Sequence, residues 1–146
     1  MEKQNKNNRQ NILDMVLIAM FAVIIAICSW LSIPGEVPVT LQTFGVFCAV
    51  GLLGGKRGTL SVVIYILLGL VGVPVFAGFK GGVGSLIGPT GGYIIGFVLA
   101  AYAAGAVRGD RNASTKRYIL AAAVGFACCY AVGIPYFAII YPKLGL

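Results

Sequence analysis

The chain has 146 residues, of which 59% are hydrophobic and 10% charged, and its mean hydropathy is +0.94. Soluble domains carry roughly 25% charged and about 45–50% apolar residues. This composition therefore excludes an ordinary water-soluble domain and predicts an all-α integral membrane protein forming a single transmembrane domain. The formal charge of +7 does not mark a nucleic-acid binder, because the basic residues fall in short clusters between apolar runs, as membrane topology is written. Cys28, Cys48, Cys128 and Cys129 all sit inside apolar runs, with no C-x-x-C pair, and the chain has no histidine. Such thiols are predicted to pack as small hydrophobes, and neither a metal site nor a cofactor is expected.

Met1–Asn11 is polar and lacks the small-residue cleavage pattern of a signal peptide. The first apolar run, residues 12–33, is predicted to span, entering from the cytoplasm. Ile33–Thr43 (IPGEVPVTLQT) breaks the helix with two prolines and has no Lys or Arg, so it reads as an outer connection. The next apolar stretch is too short to cross alone. The second span is therefore predicted over 37–55, which places Thr40, Gln42 and Thr43 in its outer third. Polar side chains at that depth are costly against lipid; they face a cavity or bond between helices.

Gly54–Gly58 (GGKRG) is a tight turn with two cations and lacks the spacing of a phosphate-binding loop. The third span is predicted over 59–75. The glycine-rich loop GFKGGVGSLIGPTGGY (Gly78–Tyr93) follows. The fourth span is expected over 89–107 with Pro89 in its first turn, where a missing N–H costs nothing. Arg108–Arg117 is a polar turn with four cations, and the fifth span covers 118–141, bent near Pro135.

Counting charges orients the chain. With the N-terminus cytoplasmic, Lys3, Lys6, Arg9, Lys56, Arg57, Arg108, Arg111, Lys116 and Arg117 lie inside; only Lys80 and Lys143 lie outside. Small residues recur every fourth position along the fourth span (Gly88, Gly92, Gly96, Ala100, Ala104) and the fifth (Ala121, Gly125, Cys129, Gly133). Such ridges predict close helix–helix packing. Ala22 and Ala26 form a shorter version on the first span.

Catalysis is poorly supplied. The four acids, Glu2, Asp14, Glu36 and Asp110, are scattered over both sides, and no acid pair or nucleophile–base dyad can be assembled. The chain is therefore not expected to be an enzyme. Binding is better supplied. The N–H groups at the start of the fourth span favour an acceptor or anion, and Lys80 is the single cation of the adjacent loop. The predicted substrate-binding residues are Thr40, Gln42, Phe76, Lys80, Gly81, Gly82, Thr90, Gly91, Gly92 and Tyr93, with Phe79 also covering apolar parts of a solute. Lys80 either meets a carboxylate or snorkels to the outer interface, and the glycines either admit a solute or serve turning and packing alone.

Four blocks, VPVTLQT (Val37–Thr43), LLGGKRG (Leu52–Gly58), GLVGVPVFAGFKGG (Gly69–Gly82) and GPTGGYIIGF (Gly88–Phe97), resemble in order and spacing the BioY family. These are the biotin-specific substrate-capture (S) components of energy-coupling factor (ECF) transporters. The resemblance covers residues 12–141. It implies a six-helix S-component fold in a bacterial cell membrane, of which five transmembrane helices are visible here. It also implies biotin as ligand, and as partners an ECF transmembrane coupling subunit and two cytoplasmic ATPases. Ala22 and Ala26 match the small residues by which the family docks its coupling subunit. The sixth span, whose charged residues belong to the family's binding region, is missing, so the chain reads as truncated after its fifth. Two other readings are an S component for a different vitamin-sized solute and a non-transporting structural or assembly subunit.

Overall fold

The computed structural model describes residues 1–35, 39–109 and 112–145, with the side chain of Val39 also left aside. Among the described residues six helices follow in chain order: α1 (Glu2–Trp30), α2 (Gln42–Leu53), α3 (Gly55–Val71), α4 (Val83–Ile87), α5 (Gly91–Arg108) and α6 (Thr115–Lys143). Two-residue strands β1 (Ser32–Ile33) and β2 (Val39–Thr40) pair antiparallel between α1 and α2, Ser32 opposite Thr40. The protein is an all-helical, multi-pass membrane protein. α1, α5 and α6 are each long and apolar enough to cross a bilayer, whereas α3 has 17 residues and α2 only 12.

Several expected boundaries move, each for a local reason. α1 starts at Glu2 instead of residue 12, because its polar first turns contain neither proline nor glycine to stop helix propagation. α2 starts at Gln42 instead of near Val37, which lies outside the described residues; Thr40 is extended, on β2. α3 begins at Gly55 and stops at Gly72, whose left-handed φ of 112° closes its last turn. The glycine-rich loop contains α4. Pro89 is not in the first turn of a helix. It occupies a β-turn closed by the Gly91 N–H donating to Gly88 O (3.0 Å), where its fixed φ suits the second position, and α5 begins at Gly91.

The core lies where α1, α2, α3 and α5 meet, and Ile25, Val46, Ala49, Val62 and Ala101 are fully enclosed. Ala22 and Ala26 are buried in it, 1% and 5% exposed. This corrects their expected role as a docking surface: their small size lets α1 approach its own neighbours. A side chain on Gly45 of α2 would come within 3.4 Å of the Ile25 backbone.

The ridges predicted on α5 and α6 do pack against each other. Gly96 lies against the Cys129 backbone, Gly125 against Ala100 O, and Gly133 beneath the Tyr93 ring. Close approach of this kind gives dispersion contact that large side chains would prevent.

The end of the bundle remote from the loops is held by polar contacts. Arg57 at the start of α3 pairs with Asp14 (2.8 Å), the acid that interrupts the apolar run of α1. Arg108, 7% exposed at the end of α5, donates to Val50 O (3.1 Å) in the last turn of α2. A cation there complements the negative end of the α2 dipole. The Tyr118 hydroxyl donates to Phe47 O (3.2 Å) with its ring over Gly51.

At this end Gly55 and Gly105 meet backbone to backbone, with no space for a Cβ on either. We expect Gly105→Ala to cost about 1–3 kcal/mol through overpacking, read as a lower melting temperature in detergent. Gly84→Ala, which meets open space, should leave the melting temperature near that of the unaltered chain.

Candidate functional site

The opposite end carries a cavity of about 590 Å³, within the 300–1,000 Å³ range typical of small-molecule sites. Its walls come from the β1–β2 connection, the start of α2, the loop after α3, the start of α5 and the middle of α6. Most of the irregular backbone among the described residues lies around it. Irregular backbone at membrane depth is tolerated where it lines a cavity or is buried in protein.

Each wall is anchored by named contacts. After α3 the chain runs irregularly from Gly72 to Gly82, and α1 holds it. The Ser29 hydroxyl lies 2.6 Å from Val75 O and the Trp30 indole donates to Pro74 O (3.0 Å). Phe76 is buried against Gly69 and edge-on to Tyr65, and its N–H donates to Lys80 O (2.9 Å). The tight link between them puts both Gly78 and Phe79 at positive φ, 72° and 58°. A side chain rarely takes that conformation. Phe79 takes it with its ring stacked on Trp30, centroids 5.1 Å apart.

α4 is held from the other side by Tyr136, whose hydroxyl donates to Leu86 O (2.8 Å) while its ring lies over Gly92. Tyr93 meets Tyr130 edge to face, Tyr130 stacks on Phe126, and Phe126 stacks on Phe47. An aromatic wall thus runs from α5 through α6 to α2.

Of the residues predicted from sequence, Thr40, Gln42, Phe76, Lys80, Thr90 and Tyr93 line the cavity together. Gly81, Gly82, Gly91 and Gly92 do not. Gly81 lies against Val73 O, Gly91 against Leu86 O and Gly92 against Tyr136, and Gly82 takes a φ of 88° at the start of α4. Their smallness shapes the loop rather than the cavity surface. Phe79 also stays outside, 65% exposed. Sequence reasoning missed Ser32, Phe97, Cys129 and Tyr130. Ser32 carries no pattern of its own. Tyr130, however, follows the ridge residue Cys129, so it could have been placed beside the α5 interface.

Chemically the site offers one cation, several hydroxyls and an amide on one side and aromatic surface on the other. Among the described residues no carboxylate pairs with Lys80, and no cluster of His, Cys, Asp or Glu could hold a metal. Thr40 Oγ1 accepts the Gln42 N–H at 3.3 Å, which leaves its own proton free for another acceptor.

Fold and site together define a membrane protein built around a cavity for one small, partly polar solute. The BioY family model matches residues 2–145, and the chain belongs to the BioY family. It is 44% identical over 122 residues to the biotin transporter BioY of Thermotoga maritima, covering 83% of this chain and 72% of that protein. It is 43% identical over 121 residues to a probable biotin transporter BioY of Pyrococcus horikoshii, covering 82% and 71%. Among solved structures it is similar to the S-component for biotin from an ECF-type ABC transporter, at 31% identity and a TM-score of 0.79, covering 90% of this chain and 75% of that one.

The Tyr136–Leu86 bond makes α4 testable as a fixed wall. Tyr136→Phe should cost about 1 kcal/mol of stability, the net value of one such bond. It should also raise hydrogen–deuterium exchange in Val83–Ile87 relative to the body of α5.

Proposed function

We propose that this chain is the biotin-binding substrate-capture subunit of an ECF-type vitamin importer. The observation that carries the reading is the cavity, which gathers Lys80, Thr40, Gln42, Thr90 and Tyr93 with aromatic surface in a chain related to biotin transporters. Biotin has a carboxylate tail, a ureido ring bearing donors and an acceptor, and an apolar sulfur ring. Lys80 supplies a charge for the carboxylate. The amide and hydroxyls match the ureido ring, and Phe76, Phe97 and Tyr130 cover the apolar ring.

The cavity end carries Lys80 and, at the end of α6, Lys143; among the described residues Lys56, Arg57, Arg108, Lys116 and Arg117 lie at the starts of α3 and α6 and the end of α5, and Lys3, Lys6 and Arg9 lie on the first turns of α1. By the positive-inside rule the N-terminus is cytoplasmic and the cavity opens outward, suited to capture before import. Energy for transport would then come from outside this chain, through an ECF transmembrane coupling subunit and two cytoplasmic ATPases.

Binding of radiolabelled biotin to the chain in lipid nanodiscs tests the function. Saturable binding that is not displaced by other vitamins is expected. Displacement by another vitamin at equal concentration would move the assignment to that solute, and no binding of any would favour an assembly role. Lys80→Met should weaken biotin binding about ten- to a hundredfold, the worth of a charge-assisted hydrogen bond. An unchanged affinity would remove Lys80 from the site.

Orientation is tested separately in a background with the native cysteines replaced. Gly84→Cys should react with a membrane-impermeant maleimide on intact cells, and Lys116→Cys only after permeabilisation. The reverse pattern would invert the topology.

A further inference from the structure

The cavity is open at one end and closed at the other. Gly35, Gly78 and Lys80 on its wall are exposed, whereas Phe76, Ile94, Phe97 and Cys129 are buried. α5 supplies a depth scale. Thr90, Tyr93, Ile94 and Phe97 follow the spacing of one helix face, and all four line the cavity. From Thr90 to Phe97 the rise is about 10 Å, at 1.5 Å per residue. One turn further, Ala100 and Ala101 are 1% and 0% exposed and lie outside the cavity surface.

The neighbouring helices stop at the same level. On α6 Cys129, beside Gly96, lines the cavity, and Gly125, one turn below it, does not. On α2 Gln42 and Thr43 line it, and Val46 and Phe47 do not. A side chain on Gly125 would overlap the Phe47 ring and press on Ala100 O, so α2, α5 and α6 meet there with backbone and ring in contact. Phe97 belongs to the same packed core as Phe47 and Ala100 and forms the floor above them, with Cys129 beside it. Tyr130, 47% exposed, borders the cavity from the side. Close packing beneath Phe97 leaves it no space to retreat when a larger group presses on it.

We propose that Phe97 is a specificity-determining residue: it sets how far the solute reaches into the protein, and so selects by size at the end remote from the carboxylate. This rests on the biotin reading above, in which Lys80 holds the carboxylate at the open end and the fused rings enter first. One added methyl-sized group at the closed end has no place to go. A misfit of that size is worth about 10- to 200-fold in affinity.

The test pairs an enlarged ligand with an enlarged cavity. Biotin, its two mono-N-methyl ureido derivatives and its sulfone are titrated onto the native chain, Phe97→Ala and Phe97→Leu. The control is Leu99→Ala, since Leu99 is 46% exposed on α5 and outside the cavity surface. The native chain and the control should bind biotin about tenfold or more tightly than at least one derivative. Phe97→Ala should bind biotin more weakly, yet bind that derivative more tightly than the native chain does. Phe97→Leu, closer in volume, should show the same gain in part and serves if the alanine variant does not fold. A merely structural role would weaken every ligand, because lost packing creates no affinity for a larger one. A native chain that takes all three derivatives as well as biotin, Phe97 variants that gain on none, or an equal gain in Leu99→Ala would overturn the role of Phe97 and leave biotin capture standing. A native chain that binds no biotin would instead remove the functional reading and this inference with it.

Discussion

The segment from Gly72 to Gly82 has no regular structure over most of its length, yet it sits between helices that face lipid. Hydrocarbon offers no water to its carbonyls, so the protein must bond them itself. α1 does this with two adjacent residues, Ser29 and Trp30, aimed at Val75 O and Pro74 O. Once those carbonyls are fixed, Phe76 is buried and Lys80 is carried to the cavity. The position of Lys80 thus depends on the last turn of a helix fifty residues earlier in the chain.

Much of this was legible in the sequence. Long apolar runs separated by cation clusters marked the helices, and four-residue spacing of small residues marked the α5–α6 interface. Six of the ten predicted binding residues meet at one cavity, because the blocks that carry them are also those that interrupt helices. The errors share a cause. Pro89 and Gly91 were read as helix start and anion site from local preference, but the Gly88–Gly91 turn takes the proline and packing against Leu86 takes the glycine. Ala22 and Ala26 have the spacing of a docking ridge whichever way they face. Only tertiary packing shows that they face inward.

The two ends of the bundle divide the labour. At one end backbones touch at Gly55 and Gly105, and Arg57 and Arg108 tie helices together across short distances. At the other, contacts run through side chains reaching from helix to loop. The first arrangement leaves no room for movement. The second surrounds a space of solute size with groups that can be altered one at a time, which suits a family whose members share a frame.

α1 has 29 residues and, at 1.5 Å rise per residue, is about 43 Å long, whereas the hydrocarbon core is ~30 Å thick. Its polar first turns, with Lys3, Lys6 and Arg9, are thus held stiffly at headgroup level on one side, where anionic lipids attract them. Trp30, stacked on Phe79, is of the type that settles at the opposite interface. Because Ser29 and Trp30, at the end of the same helix, also hold the loop that forms the cavity wall, a helix longer than the hydrocarbon core is also the one that positions that wall.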